Sequence, residues 1–260
     1  MSEKAVLLEK NAGIATITLN RPEAMNSLNL ELVSDLSVAL TNVQEDSSVR
    51  VVVLTGNGKA FCAGGDLFYL AGLTQVLDAR SFIAQAGNLI SGIMNMDKPV
   101  IAMVNGVAAG AGFNIALACD IVFCAKSVKF AQSFSKVGLV PDCGGFYLLP
   151  RIVGAHKAKE LMFTADLIDA DTAFAMGLVN KVVENADLAA TTGQFAERLA
   201  AQAPIALGMI KKMVNRSSTM ELDEVLASEA DLQAICMQTD DYREGVQAFK
   251  EKRPPRFCGK

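Results

Sequence analysis

Two textures of apolar spacing divide the chain. Residues 4–8 and 13–19 read as short strands around Asn11-Ala12-Gly13; in the second, Ala15, Ile17 and Leu19 alternate with Thr16 and Thr18. That period of two sends successive side chains to opposite faces of a sheet. Over residues 28–43, Leu28, Leu32, Leu36 and Leu40 form the stripe of an amphipathic helix, with Asn26 or Ser27 placed to cap it. Arg50–Thr55, Pro99–Val104 and Asp120–Cys124 have the length of buried strands, and residues 80–96 and 110–119 read as helices between them. Strand and helix in alternation predict α/β layers with parallel pairing. Beyond about residue 150 the spacing turns helical: 154–163, 170–176, 187–202, 204–216, 221–235 and 239–250, with Val179–Val183 as the one strand. No Pro/Ser/Gly linker divides the parts, so they are expected to pack together.

Composition excludes more than it identifies. A chain of 260 residues lies between one domain and two at ~150 residues per domain, and it is long enough to need no disulfide or metal staple. Hydrophobic residues at 51% and charged residues at 20% describe a globular chain. The single histidine, His156, excludes any metal site that needs two His ligands, and it reads as a surface helix residue. A net charge of −4 without a long basic run argues against nucleic acid as the main partner. The six cysteines (62, 119, 124, 143, 236 and 258) show no CxxC spacing, so neither a zinc ribbon nor a thioredoxin motif is supported. Reduced thiols in a chain of this size fit a cytoplasmic location. Met1-Ser-Glu-Lys4 shows no apolar stretch behind a basic start, so no signal peptide is expected. The apolar run Val107–Ala118 is too short to span a bilayer, so no membrane partner is expected.

Three segments can carry chemistry. Ala60-Phe-Cys-Ala-Gly-Gly-Asp66 and Asn105-Gly-Val-Ala-Ala-Gly-Ala-Gly-Phe-Asn114 both follow strands. Glycine lets the backbone approach a ligand closely, and N–H groups at a helix start have no intrahelical partner. One N–H from each segment converging on one oxygen would make an oxyanion hole; the plainer alternative is a pair of tight strand-to-helix turns. No Gly-Lys-Ser/Thr follows, and residue 115 is Ile, so neither a Walker A loop nor a dinucleotide fingerprint is present. The third segment, Val137 to Gly145, holds Asp142 between Pro141 and a Gly pair in apolar sequence. A desolvated carboxyl there suits a general base; the alternative is a cap for a helix through Phe146 to Leu149. Cys62 and Cys143 lie within these segments, next to the proposed site, without an evident basic partner. Tyr69 or Tyr147 could line an acyl pocket or simply pack.

Taken together the motifs resemble the crotonase superfamily, the enoyl-CoA hydratase/isomerase family. The resemblance runs through Leu19-Asn-Arg-Pro-Glu-Ala-Met-Asn-Ser-Leu28, Ala60–Asp66, Pro99–Gly106, Gly110–Asp120, Val137–Gly145 and Glu244–Arg253, in that order. It implies an α/β fold, a crotonase-like spiral of ββα units over residues 1–195, with a helical trimerisation region over 196–260. It implies a homotrimer or dimer of trimers, an acyl-CoA thioester substrate and no separate cofactor. By position, the oxyanion donors would be the N–H groups of Gly65 and Ala111. Members of the family usually carry Gly at the second position, but a backbone donor survives the change. Ala24, Met25, Ala63, Gly64, Asp66 and Leu67 would line the coenzyme A pocket. Phe249 and Lys252 would reach the nucleotide end, often across a subunit boundary.

The resemblance also bears on the reaction. Typical hydratases position water with two glutamates, and the matching positions here are Asn114 and Phe134, which the resemblance makes substrate-binding residues. Asn114 takes no proton at neutral pH, and Phe134 does not hydrogen-bond to water. Asp142 matches an acidic base of isomerase branches, including dienoyl-CoA isomerases and the ring-opening isomerases of phenylacetate degradation. Isomerisation through an enolate is therefore the favoured expectation. Hydration with unusual residues, hydrolysis, decarboxylation, dehalogenation and acyl-CoA binding with weak catalysis are the alternatives. Asp66 and Asp120 are expected to be caps or loop anchors.

Overall fold

The computed structural model describes residues 4–260; Met1–Glu3, on which the expectation of no signal peptide partly rests, lie outside them. In chain order the elements are β1 (Val6–Asn11), β2 (Ile14–Leu19), α1 (Leu30–Glu45), β3 (Val51–Gly56), β4 (Ala60–Cys62), α2 (Leu67–Ala71), α3 (Val76–Asn95), β5 (Val100–Val104), β6 (Val107–Ala109), α4 (Ala111–Ala118), β7 (Ile121–Ala125) and β8 (Lys129–Ala131). There follow α5 (Gly145–Thr164), β9 (Ile168–Asp169), α6 (Ala170–Ala175), β10 (Lys181–Val183), α7 (Leu188–Ala200), α8 (Pro204–Ser217), α9 (Leu222–Cys236) and α10 (Asp240–Glu251).

Strands come in sequential pairs, and after the β1-β2 hairpin each pair splits between two sheets. One sheet runs β1-β2-β3-β5-β7-β10 and the other β4-β6-β8-β9. β1 and β2 pair antiparallel, whereas β2, β3, β5, β7 and β10 are parallel along the first ladder. β3/β4, β5/β6 and β7/β8 thus each place one strand in each sheet, which is the ββα spiral. The corner between members of a pair is tight. An ideal Cβ on Gly106 would lie 2.1 Å from the Lys59 carbonyl oxygen, so only Gly lets β5 turn into β6 beside the start of β4.

All six residues of β3 are buried because both faces of its sheet are covered, as expected for parallel strands. Val52, Leu54 and Ala102 join the core formed with α1 and α3. Val51, Val53 and Ile101 face the other way onto Ala196 and Ala200 of α7. The boundary expected at 195/196 therefore falls inside a helix whose C-terminal half packs on the sheet. The helical region begins after α7.

Several elements differ from the pattern reading for local reasons. α1 starts at Leu30, and its cap is Asn29, whose side chain accepts from Leu32 N at 2.9 Å, rather than Asn26 or Ser27. Those two residues belong to a turn that holds the site. α3 begins at Val76, earlier than expected, because Val76 and Leu77 point to solvent and leave no stripe to read. α5 begins at Gly145 and passes through Pro150 to a backbone break at Gly154 (φ 77°), so periodicity found only its second half. β6, β8 and β9 span two or three residues each, too short to show a period.

α8 is fixed to the core by a buried cation. Lys211, with 4% of its side chain exposed, pairs with Asp120 at 2.8 Å and donates to the carbonyls of Ile93 (2.7 Å) and Lys98 (3.1 Å). Asp120 also accepts from Val100 N at 2.7 Å, an anchoring position of the kind expected. Breaking a buried pair by removing one partner typically costs about 3–5 kcal/mol. Lys211→Ala is therefore expected to lower the thermal midpoint by on the order of 10 °C; a shift under about 2 °C in a thermal melt would contradict this. His156 is exposed on α5. Among the described residues no helix is long and apolar enough to cross a membrane.

Candidate active site

The first glycine segment is clamped to the turn that precedes α1. Ala63 N donates to Met25 O (3.0 Å), Leu28 N to Gly64 O (2.7 Å) and Asp66 N to Leu28 O (2.9 Å). That turn is left-handed at Met25 (φ 51°) and Asn26 (φ 56°), a conformation Asn tolerates when its side chain is bonded locally. The Asn26 amide is buried; it donates to the carbonyls of Asn57 (2.9 Å) and Ala60 (2.8 Å) and accepts from Arg21 N (2.9 Å). Arg21 donates to Ser27 O at 2.7 Å and pairs with Asp66 at 3.1 Å. Asp66 also caps α2 through Phe68 N and Tyr69 N. Burial works to raise the Asp66 carboxyl, but the Tyr69 N–H and the Arg21 guanidinium outweigh it and hold it below the usual carboxylate range. Asp66 is thus an anchor of the loop, as expected for a cap.

The second segment meets the first. Gly110 (φ 50°) turns the chain from β6 into α4. An ideal Cβ on Gly64 would lie 3.0 Å from Ala109 O and 3.6 Å from Ala111 N. An ideal Cβ on Gly112 would lie 2.1 Å from Cys62 O, so glycine lets α4 press its first turn against the end of β4. Ala111 is the first residue of α4. Among the described residues, neither Gly65 N nor Ala111 N has a hydrogen-bond acceptor. The two predicted donors therefore come from adjoining segments with both N–H groups free, one at the positive end of a helix.

Asp142 lies on the link between a 3₁₀ turn (Ser133–Val137) and α5. It does not cap α5: the capping position is Gly144, with no side-chain bond. Its Oδ1 is fully buried and without a hydrogen-bond partner. Burial pushes the carboxyl above the usual aspartate range, partly offset by the Cys143 thiol. Cys62, three residues before Gly65, is pushed up to about 12 by burial and by the Asp142 charge. Cys143 is raised further by the same causes. Burial thus disfavours the thiolate form of both.

Phe134 is 7% exposed, and its ring stands 3.6 Å from an ideal Cβ on Gly110, beside the start of α4. Met25 and Leu67 are exposed on the same clamped turn and on α2. Asn114 is placed otherwise than a residue near the acyl group would be. It is fully buried, and its amide is taken up by the Asp142 carbonyl (2.8 Å) and by Gln132 Nε2 (2.8 Å). Phe249 and Lys252 lie at the C-terminal end of α10, an element that makes none of the contacts just described. Phe249, 86% exposed, lines a groove of about 1160 Å³ between α8, α9 and α10, and Lys252 ends α10. Tyr69 packs edge-on against Phe82 at 4.9 Å, and Tyr147 carries the Arg151 guanidinium over its ring. Sequence reasoning missed Asn26 and Arg21 as the frame of the first segment, although both lie in the Leu19–Leu28 motif. It also missed Gln132, which no local pattern marks.

The arrangement offers two free backbone donors and one desolvated carboxylate, an equipment suited to holding an enolate oxygen while moving a proton. Known proteins agree with that class. The family model "Enoyl-CoA hydratase/isomerase" matches residues 9–260. The chain is 42% identical over 258 residues to 1,2-epoxyphenylacetyl-CoA isomerase of Escherichia coli, covering 98% of each chain. It is 38% identical to crotonyl-CoA hydratase of Syntrophomonas wolfei, with both chains covered in full. The crystal structure of an enoyl-CoA hydratase from Bacillus anthracis superposes with a TM-score of 0.95 at 35% identity, covering 98% of this chain and 100% of that one. The chain belongs to the enoyl-CoA hydratase/isomerase family.

Proposed function

We propose that this family member is an enoyl-CoA isomerase that shifts a double bond through an enolate. The observation that carries the reading is the single desolvated carboxylate, Asp142, with its unpartnered Oδ1, in a site whose other candidate positions hold Asn114 and Phe134. The thioester oxygen accepts from Gly65 N and Ala111 N. Asp142 takes a proton from the acyl carbon α or γ to the thioester, and negative charge moves to the oxygen, where the two donors stabilise it. Asp142 then returns the proton two carbons away. One carboxylate serves both steps when it reaches both carbons from one face, and Phe134 keeps water off the intermediate.

In this reading Ala24, Met25, Ala63, Gly64 and Leu67 line the coenzyme A side, with Asp66 holding their frame. Phe249 and Lys252 act from a neighbouring copy in a homotrimer or a dimer of trimers. With a net charge of −4, the chain needs such local cations to meet a polyanionic ligand. The isomerase name of the E. coli relative supports the reading.

The test is incubation with short, long, conjugated and aryl enoyl-CoA thioesters in water enriched in heavy oxygen, followed by mass spectrometry. The expected result is double-bond migration without heavy oxygen in the product. Label uptake as a 3-hydroxyacyl-CoA with no migration would overturn it.

A further inference from the structure

Asn114 and Gln132 are buried amides, 0% and 2% exposed, that face one another behind the site. Gln132 Nε2 donates to Asn114 Oδ1 at 2.8 Å, and Asn114 Nδ2 donates to the backbone carbonyl of Asp142 at 2.8 Å. The same carbonyl accepts from Gly145 N at 2.9 Å. Donors from two separate helices thus fix the Asp142 peptide plane: a side chain on α4 and the first N–H of α5. An ideal Cβ on Gly145 would lie 2.5 Å from Asn114 Nδ2, so the amide fills the space beside Gly145. Gln132 Oε1 remains buried without a partner, an unfavourable arrangement that apolar side chains of similar size would avoid. Packing alone therefore does not explain the two amides.

We propose that Asn114 and Gln132 form a strut that positions Asp142 for proton transfer without touching substrate. The proposal rests on Asp142 being the base. Asn114 fixes the backbone from which the carboxylate projects, and Gln132 holds the Asn114 amide with its donor end toward Asp142. A side chain without that N–H at position 114 would leave the Asp142 carbonyl held by Gly145 N alone and let the link between the 3₁₀ turn and α5 move. A displacement near 1 Å at a reacting group can cost about 100-fold in rate, while groups that bind the thioester stay where they were.

The experiment compares Asn114→Leu, Gln132→Met and Asp142→Asn, using trans-3-hexenoyl-CoA for turnover and hexanoyl-CoA for binding. Asn114→Leu stays close to the side chain's size but loses the donor and cannot regain one by taking up a proton. Gln132→Met loses a donor together with the orphaned acceptor, and it decides the matter if Asn114→Leu does not fold. The expected result is a kcat lower by about 10- to 100-fold for Asn114→Leu and about 3- to 10-fold for Gln132→Met, with KM and hexanoyl-CoA affinity within about twofold of wild type. The strut is overturned if both variants keep wild-type kcat, or if affinity and thermal midpoint fall in step with kcat, as a merely structural role requires. If Asp142→Asn is inactive while both strut variants are normal, the strut alone fails. If Asp142→Asn turns over like wild type, the assignment of the base fails with it.

Discussion

Asp142→Asn is expected to lower kcat for double-bond migration by about 10²- to 10⁴-fold, the usual worth of a positioned general base, while acyl-CoA binding stays near wild type. The amide keeps the shape of the carboxyl but does not take the proton. The same substitution is expected to stabilise the fold at neutral pH. Burial holds the Asp142 carboxyl above the usual aspartate range in the native state, so the folded chain retains that proton to higher pH than the unfolded chain does. Its contribution is fully present below the ordinary aspartate pKa of about 3.9 and is lost as pH rises through the raised native value. Thermal melts should therefore place Asp142→Asn above wild type at pH 7 and level with it near pH 3. An equal or lower midpoint at pH 7 would contradict the desolvated site. The pH profile follows from the same shift. A base must be ionised to act, so kcat/KM should rise with pH through an inflection above that of an ordinary aspartate.

Ala111→Pro should produce the second large effect. Ala111 is the first residue of α4, where proline is well tolerated because its fixed φ suits the helix and the missing N–H has no intrahelical role. The substitution deletes one proposed oxyanion donor and leaves the α4 hydrogen bonds in place. Loss of one such donor costs about 10²–10³ in kcat in known cases, and the same is expected here. Ala111→Gly, which keeps the N–H, should remain within about threefold of wild type. A proline variant with near-normal turnover, folded by circular dichroism, would remove Ala111 N from the site.

How far the sequence could be read depended on what each element displays. The parallel core was legible because β3, β5 and β7 are largely apolar runs bounded by charged, Asn, Pro or Gly residues, and the C-terminal helices because their stripes are long. The second sheet was not, since β6, β8 and β9 are two or three residues each and are fixed by pairing rather than by period. The two donor segments stood out by their glycines, Gly65 and Ala111 were picked within them by resemblance alone, and the fold sets the two segments side by side. Asp142 stood out as one carboxylate in apolar sequence. Its environment could be anticipated, but its partners could not, because they come from α4 and from residue 132, far along the chain. Asn114 shows the difference most sharply. In sequence it reads as a replaced glutamate near the acyl group, whereas in the fold its side chain turns away and is taken up by Gln132 and the Asp142 carbonyl. Phe249 and Lys252 mark the complementary case: resemblance assigns them to the nucleotide end of the ligand, and the fold places them at the end of α10 rather than on the donor segments.

Nuclear magnetic resonance of trans-3-hexenoyl-CoA incubated in heavy water with wild type and with Asp142→Asn tests most directly whether one carboxylate moves the proton. Wild type should remove an α proton, move the double bond into conjugation and place hydrogen or deuterium at the γ carbon, without forming a hydroxyacyl product, and Asp142→Asn should do none of these. A 3-hydroxy product from wild type, or migration at the wild-type rate in Asp142→Asn, would contradict it.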